Sequence, residues 1–150
     1  MKKIVLFCTA TLFTVLSLHA QCPLKVGGVQ ANAGLGFSGE GIPIYAGIDY
    51  GLVKDVTIGA KLSIMPNREH DVIIGFSTNG NYHFNTLLDI PKEWDFYAGL
   101  TTGYYINNYY GFGINAQIGG RYFFRKNLGL NLELGGGTIS GGTFGITWLF

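Results

Sequence analysis

From Ile42 to Phe150 apolar side chains fall on every second residue through seven consecutive segments, with almost no lapse in phase. A repeat of two is that of a β-strand, whose successive side chains point to opposite faces. The first strand, Lys25 to Phe37, is the least regular: Val29, Ala31, Ala33, Leu35 and Phe37 share one face, Gln30, Asn32, Gly34 and Gly36 the other. Turn chemistry at Ser38-Gly39-Glu40-Gly41 shifts the phase. The second strand sets Ile42, Ile44, Ala46, Ile48 and Tyr50 against Tyr45, Gly47, Asp49 and Gly51, and the third Val56, Ile58, Ala60, Leu62 and Ile64 against Thr57, Gly59, Lys61 and Ser63.

The pattern continues after the polar loop Met65 to Asp71. Val72, Ile74, Phe76, Tyr82 and Phe84 oppose Gly75, Ser77, Asn79, Asn81 and His83 in the fourth strand. Beyond the longest connection, Asn85 to Glu93, the fifth sets Trp94, Phe96, Ala98, Leu100, Tyr104 and Ile106 against Asp95, Tyr97, Gly99, Thr101 and Gly103. Phe112 to Phe124, Leu128 to Gly135 and Thr143 to Phe150 complete the set, with Asn107 to Tyr110, Lys126-Asn127 and Ser140-Gly141-Gly142 as connections. The expected fold is an all-β, eight-stranded antiparallel up-and-down barrel, the even number placing both termini at one end.

Alternation alone leaves the inside undecided. A soluble lipocalin-like barrel buries its apolar set; a membrane barrel turns it outward. Composition favours the second. Charged residues are 13% of the chain, about half the usual share, and the polar faces are mostly Gly, Asn, Ser and Thr, a poor soluble surface. Glycine, 24 in all, suits the narrow interior of eight strands. Aromatic residues are sorted by height: Tyr50, Tyr82, Phe84, Trp94, Phe96, Tyr122, Phe124, Trp148 and Phe150 all fall at the strand ends nearest the termini, as in a membrane-interface girdle. Phe37, Tyr104, Phe112 and Phe144 make a thinner ring at the other end.

Residues 1–20 read as an export signal, with Lys2 and Lys3 before the apolar run Ile4 to Leu18 and a cleavage site at Leu18-His19-Ala20. The run falls short of the roughly 20 residues a membrane helix needs. The expected mature domain is therefore 21–150. The formal charge of +1 becomes −1 without Lys2 and Lys3, a balance that suggests no nucleic-acid partner. Cys8 leaves with the signal. Cys22 remains as a single thiol; Gln21 before it disfavours a lipoprotein site, and an idle thiol is expected.

The signal, the eight alternating strands and the ending Thr143-Phe144-Gly145-Ile146-Thr147-Trp148-Leu149-Phe150 resemble small bacterial outer-membrane barrels of the OmpA/OmpX type. The resemblance is one of pattern and spans the whole mature chain. It implies residence in outer-membrane lipid as a monomer, and insertion by the barrel-assembly machinery reading Phe144, Ile146, Trp148 and Phe150. The outer loops are shorter than that class usually has.

On the polar faces, Asp49, Lys61, Arg121 and Glu133 form an expected lumen charge cluster. Asp49 with Lys61, and Arg121 with Glu133, sit on adjacent strands and are expected to pair there. Glu69-His70-Asp71 has neither a second histidine nor a ligand spacing, and reads as a solvated loop. His83 reads as a hydrogen-bonded lumen residue near the periplasmic end. The Gly135-Gly136-Gly137 run lacks the Lys-Ser/Thr of a phosphate loop and reads as relief of crowding or a bend at the rim. No catalytic residue, metal or cofactor is expected. The leading function is a structural, non-catalytic barrel with a filled lumen. Alternatives are a small hydrophobic ligand entering through a weakened wall at Gly135 to Gly142, or a lipid-modifying enzyme using His70 or His83.

Overall fold

The computed structural model describes residues 22–39, 41–66, 72–106, 111–138 and 141–150. Eight strands follow one another: β1 (Val29–Ser38), β2 (Ile44–Val53), β3 (Val56–Met65), β4 (Ile73–His83), β5 (Trp94–Ile106), β6 (Gly111–Arg125), β7 (Leu128–Gly137) and β8 (Gly141–Leu149). Each pairs antiparallel with its neighbour in sequence, and β8 closes on β1 through Gln30↔Leu149 to Ser38↔Gly141. The result is a closed up-and-down barrel with no sheet edge. The start of β1 and the end of β8 lie at one end, called terminal below; the opposite end is called distal.

The barrel is inside-out by the standard of a soluble protein. Ile118 is 62% exposed while its neighbour Gln117 is 6% exposed, and the same contrast runs along every strand. Ile42, Ile44, Leu62, Phe76, Leu100, Phe112, Ile114 and Ile146 stand outward, and Gln30, Asp49, Thr57, Asn81, His83, Asp95 and Thr147 are buried inside. The outward wall is interrupted at Thr78, Gly80 and Thr102, where the hydrophobic pattern skips; in register with Ala60, they leave a shallow depression.

Several boundaries differ from expectation. β1 begins at Val29 rather than Lys25. Residues 25–28 instead turn, with the Gly28 amide donating to the Lys25 carbonyl (2.9 Å), and Gly27 adopts φ 79°, a conformation that suits glycine. The Gly27 amide donates to Gly51, and the Gly51 amide to Gly28, so residues 22–28 are strapped to the terminal end of β2. Of the two expectations for the triglycine the bend is not met, since Gly135 to Gly137 continue β7 and pair with Gln117 to Asn115, while a Cβ on Gly137 would run into the Ile114 carbonyl. Gly141 and Gly142 likewise belong to β8.

Candidate functional site

Alternation sends Asp49, Lys61, Arg121 and Glu133 into the lumen, but their pairing differs from the adjacent-strand expectation. Lys61 Nζ meets Glu133 Oε1 at 2.8 Å, and Arg121 Nη2 meets Asp49 Oδ2 at 2.8 Å, both across the barrel. The register explains the exchange. Asp49 faces Gly59 and Lys61 faces Gly47, so neither charge has the other directly opposite. The interior is also narrow enough for long side chains to cross it. Glycine beneath the network is required by space: a Cβ on Gly59 would run into Asp49 Oδ1, and one on Gly119 into the Tyr97 ring.

Arg121 has a second carboxylate that the pattern did not single out. Its Nη1 donates to Asp95 Oδ2 at 2.8 Å, and its guanidinium lies 4.3 Å from the centre of the Tyr97 ring. Asp49 also accepts from Gln30, Asn32 and Asn79 at 3.1, 2.9 and 3.2 Å. Asp95 Oδ1 lies 2.6 Å from His83 Nδ1, and His83 Nε2 lies 2.9 Å from Thr57 Oγ1. Arg121, Asp95, His83 and Thr57 are each at most 3% exposed. A Thr-His-Asp series has the connectivity of a nucleophile, base and orienting acid, yet this one is sealed from substrate on every side.

The terminal mouth is closed by residues that periodicity passed over. Phe123, on the inward phase of β6, and Leu24, in the strap, are both 6% exposed. Cys22 is a free thiol and lies buried, and burial, followed by the Asp95 charge, pushes it up to about 12. The signal that could have found this end was Asp95 itself, in phase with Tyr97 one residue after the first aromatic of β5.

Among the described residues the distal half is less tightly filled. Lys61 and Glu133 keep 19% and 15% of their side chains exposed. They lie in a cavity of about 150 Å³ that Tyr45, Met65, Ile73, Tyr105 and Thr143 also line. Tyr97 donates to Glu133 Oε2 at 3.1 Å, and Tyr45 donates to Asn131 at 2.7 Å. Hydrogen-bonded pairing of β7 with β8 continues through Gly135↔Gly141, so the wall beside the triglycine is closed there. Glu69-His70-Asp71, residues 1–20 and Asn107 to Tyr110 lie outside the described residues.

Tyr50, Tyr82, Trp94, Phe96, Tyr122, Phe124 and Trp148 stand exposed on the outer wall, Phe84 is half-buried just past β4, and Phe150 is 82% exposed. Trp94 anchors a cluster among them, with ring centres 5.7 Å from Phe96 and 4.7 Å from Tyr122. Phe144, Ile146 and Trp148 share the outward face of β8.

The fold is that of known transmembrane barrels. A de novo designed transmembrane β-barrel superposes with a TM-score of 0.71 at 16% identity, covering 84% of this chain and 98% of the design. The N-terminal β-barrel domain of Pseudomonas aeruginosa OprF gives 0.60 at 18% identity, over 83% and 98%. The Yersinia pestis outer membrane protein Ail gives 0.56 at 9% identity, over 83% and 99%. The chain thus resembles the small outer-membrane barrels in architecture. No protein-family model matches the sequence, and no curated protein matches it.

Proposed function

We propose that this protein is an integral outer-membrane barrel, exported by a cleaved signal over residues 1–20, with a structural, non-catalytic role and no through-channel. The observation that carries the reading is the inversion of the two faces. A closed wall of Ile, Leu, Val and Phe side chains is exposed around a lumen filled with hydrogen-bonded polar groups. In water that wall is an aggregation liability; in lipid it is the stabilising surface. The terminal aromatics then sit at headgroup height, and Phe144, Ile146, Trp148 and Phe150 present the strand read by the barrel-assembly machinery. The barrel acts as a monomer, with lipid as its partner and no nucleic acid.

Cell fractionation tests this directly. The protein is expected in carbonate-resistant outer membranes, migrating faster on gels before boiling than after. In planar bilayers it is expected to give no sustained conductance, because Arg121 and Tyr97 occupy the terminal half of the lumen. Recovery of the folded protein from the soluble periplasm would end the membrane reading, and stable ohmic channels would end the closed-lumen reading. A second function, binding of a small ligand, is favoured by the distal cavity, the wall at Gly135 being closed by its pairing with Gly141. Saturable quenching of tyrosine fluorescence by such a ligand, lost in Tyr105→Ala, is its signature.

A further inference from the structure

At the terminal mouth, three chain segments bring together three different ligand-type groups. Cys22 comes from the strap, His83 ends β4, and Asp95 is the second residue of β5. One donor atom from each lies within 4.8 Å of the other two, and His83 and Asp95 are fully enclosed. We propose that Cys22, His83 and Asp95 bind a zinc-class divalent cation, which staples the N-terminal strap to the barrel.

Donor chemistry and spacing support a borderline ion. Thiolate, imidazole and carboxylate are the ligand types zinc selects, at bond lengths of about 2.0–2.3 Å, which in tetrahedral geometry separates the donors by roughly 3.4–3.6 Å. The three donors lie within 4.8 Å of one another, so the widest separation has to close by roughly 1 Å to reach that spacing. His83 Nδ1 and Asp95 Oδ1, now 2.6 Å apart, have to open by under about 1 Å to admit the ion. A fourth position is left for water.

Arg121 contributes one positive charge to the buried group and meets both of its carboxylates, Asp49 and Asp95. Entry of a divalent ion with loss of the thiol proton adds a net single positive charge. The balance is one cation in and one proton out: the Cys22 S–H bond breaks as the sulfur–metal bond forms. When Nδ1 takes the metal, the imidazole proton sits on Nε2 and donates to Thr57 Oγ1, 2.9 Å away.

The test uses the exported protein isolated from membranes in detergent, stripped with chelator and titrated with Co²⁺. A near-ultraviolet thiolate-to-cobalt charge-transfer band together with visible bands of four-coordinate cobalt, all displaced by Zn²⁺, is the expected result. Cys22→Ser, which lies outside every strand, is expected to abolish the charge-transfer band while gel migration still reports a folded barrel. His83→Gln is expected to weaken Co²⁺ binding at least tenfold, and His70→Ala to leave it unchanged. Absence of the band in the parent protein overturns the proposal. So does its persistence in Cys22→Ser, or an intact mass showing Cys22 already carrying a lipid.

Discussion

The two halves of the lumen are built from the same residue types on the same eight strands, yet they differ in nearly every physical respect. In the terminal half, Gln30, Asp49, Thr57, His83, Asp95, Arg121 and Thr147 are at most 5% exposed and joined by charge-assisted hydrogen bonds. In the distal half, one ion pair borders a cavity of about 150 Å³. The difference is in what fills the space. The terminal half receives Phe123, Leu24 and the Arg121–Tyr97 stack, whereas in the distal half Tyr45, Met65, Ile73 and Tyr105 stand around a space that Gly135, Gly141 and short hydroxyl side chains leave unfilled. Tight packing and free space are thus divided along the barrel axis, and a polar core is rigid only where every polar group is also packed.

The sharpest way to break this contrast is to remove the terminal cation. Arg121→Met leaves Asp49 and Asp95 buried without their partner and should destabilise the barrel by about 3–5 kcal/mol in a urea titration. Adding Asp49→Asn and Asp95→Asn should recover most of that loss. In the distal half, Lys61→Met breaks a partly solvated pair and should cost about 1 kcal/mol or less. Equal losses from Arg121→Met and Lys61→Met would erase the distinction between the halves.

Next in size is the contrast between wall and lumen. Ile118→Arg, outward at mid-height, should cost about 2–4 kcal/mol in lipid, while Asn115→Arg, lining the distal cavity, should escape that penalty. If both respond alike in a folding titration, the assignment of faces fails. A third contrast comes from glycine. Gly119→Ala drives a methyl into the Tyr97 ring and should cost about 1–3 kcal/mol. At outward Gly80 a methyl meets nothing within 4 Å, and Gly80→Ala should be neutral or stabilising by up to about 1 kcal/mol, read as a shift in urea midpoint.

Strand number, antiparallel order and the division of residues between faces were legible in the chain, because a period of two is local: each side chain's face follows from its neighbours. The seven segments from Ile42 onward show this, and so do the inward placements of Asp49, Lys61, Arg121 and Glu133. The start of β1 was less legible, because Gly27 and Gly28 break the ladder just where alternation weakens.

Only the closed barrel decided which charges meet. Lys61 reaches Glu133, and Arg121 reaches both Asp49 and Asp95, across distances of 26 to 72 residues in sequence. Such contacts depend on strand stagger, barrel diameter and the room that Gly59 and Gly119 leave, none of which is encoded in a two-residue repeat. The same holds for Cys22: alternation assigns no place to a residue before the first strand, and burial beside His83 and Asp95 arises only when the strap folds back onto β2. Periodicity settles which way a side chain points; closure of the sheet settles what it finds there.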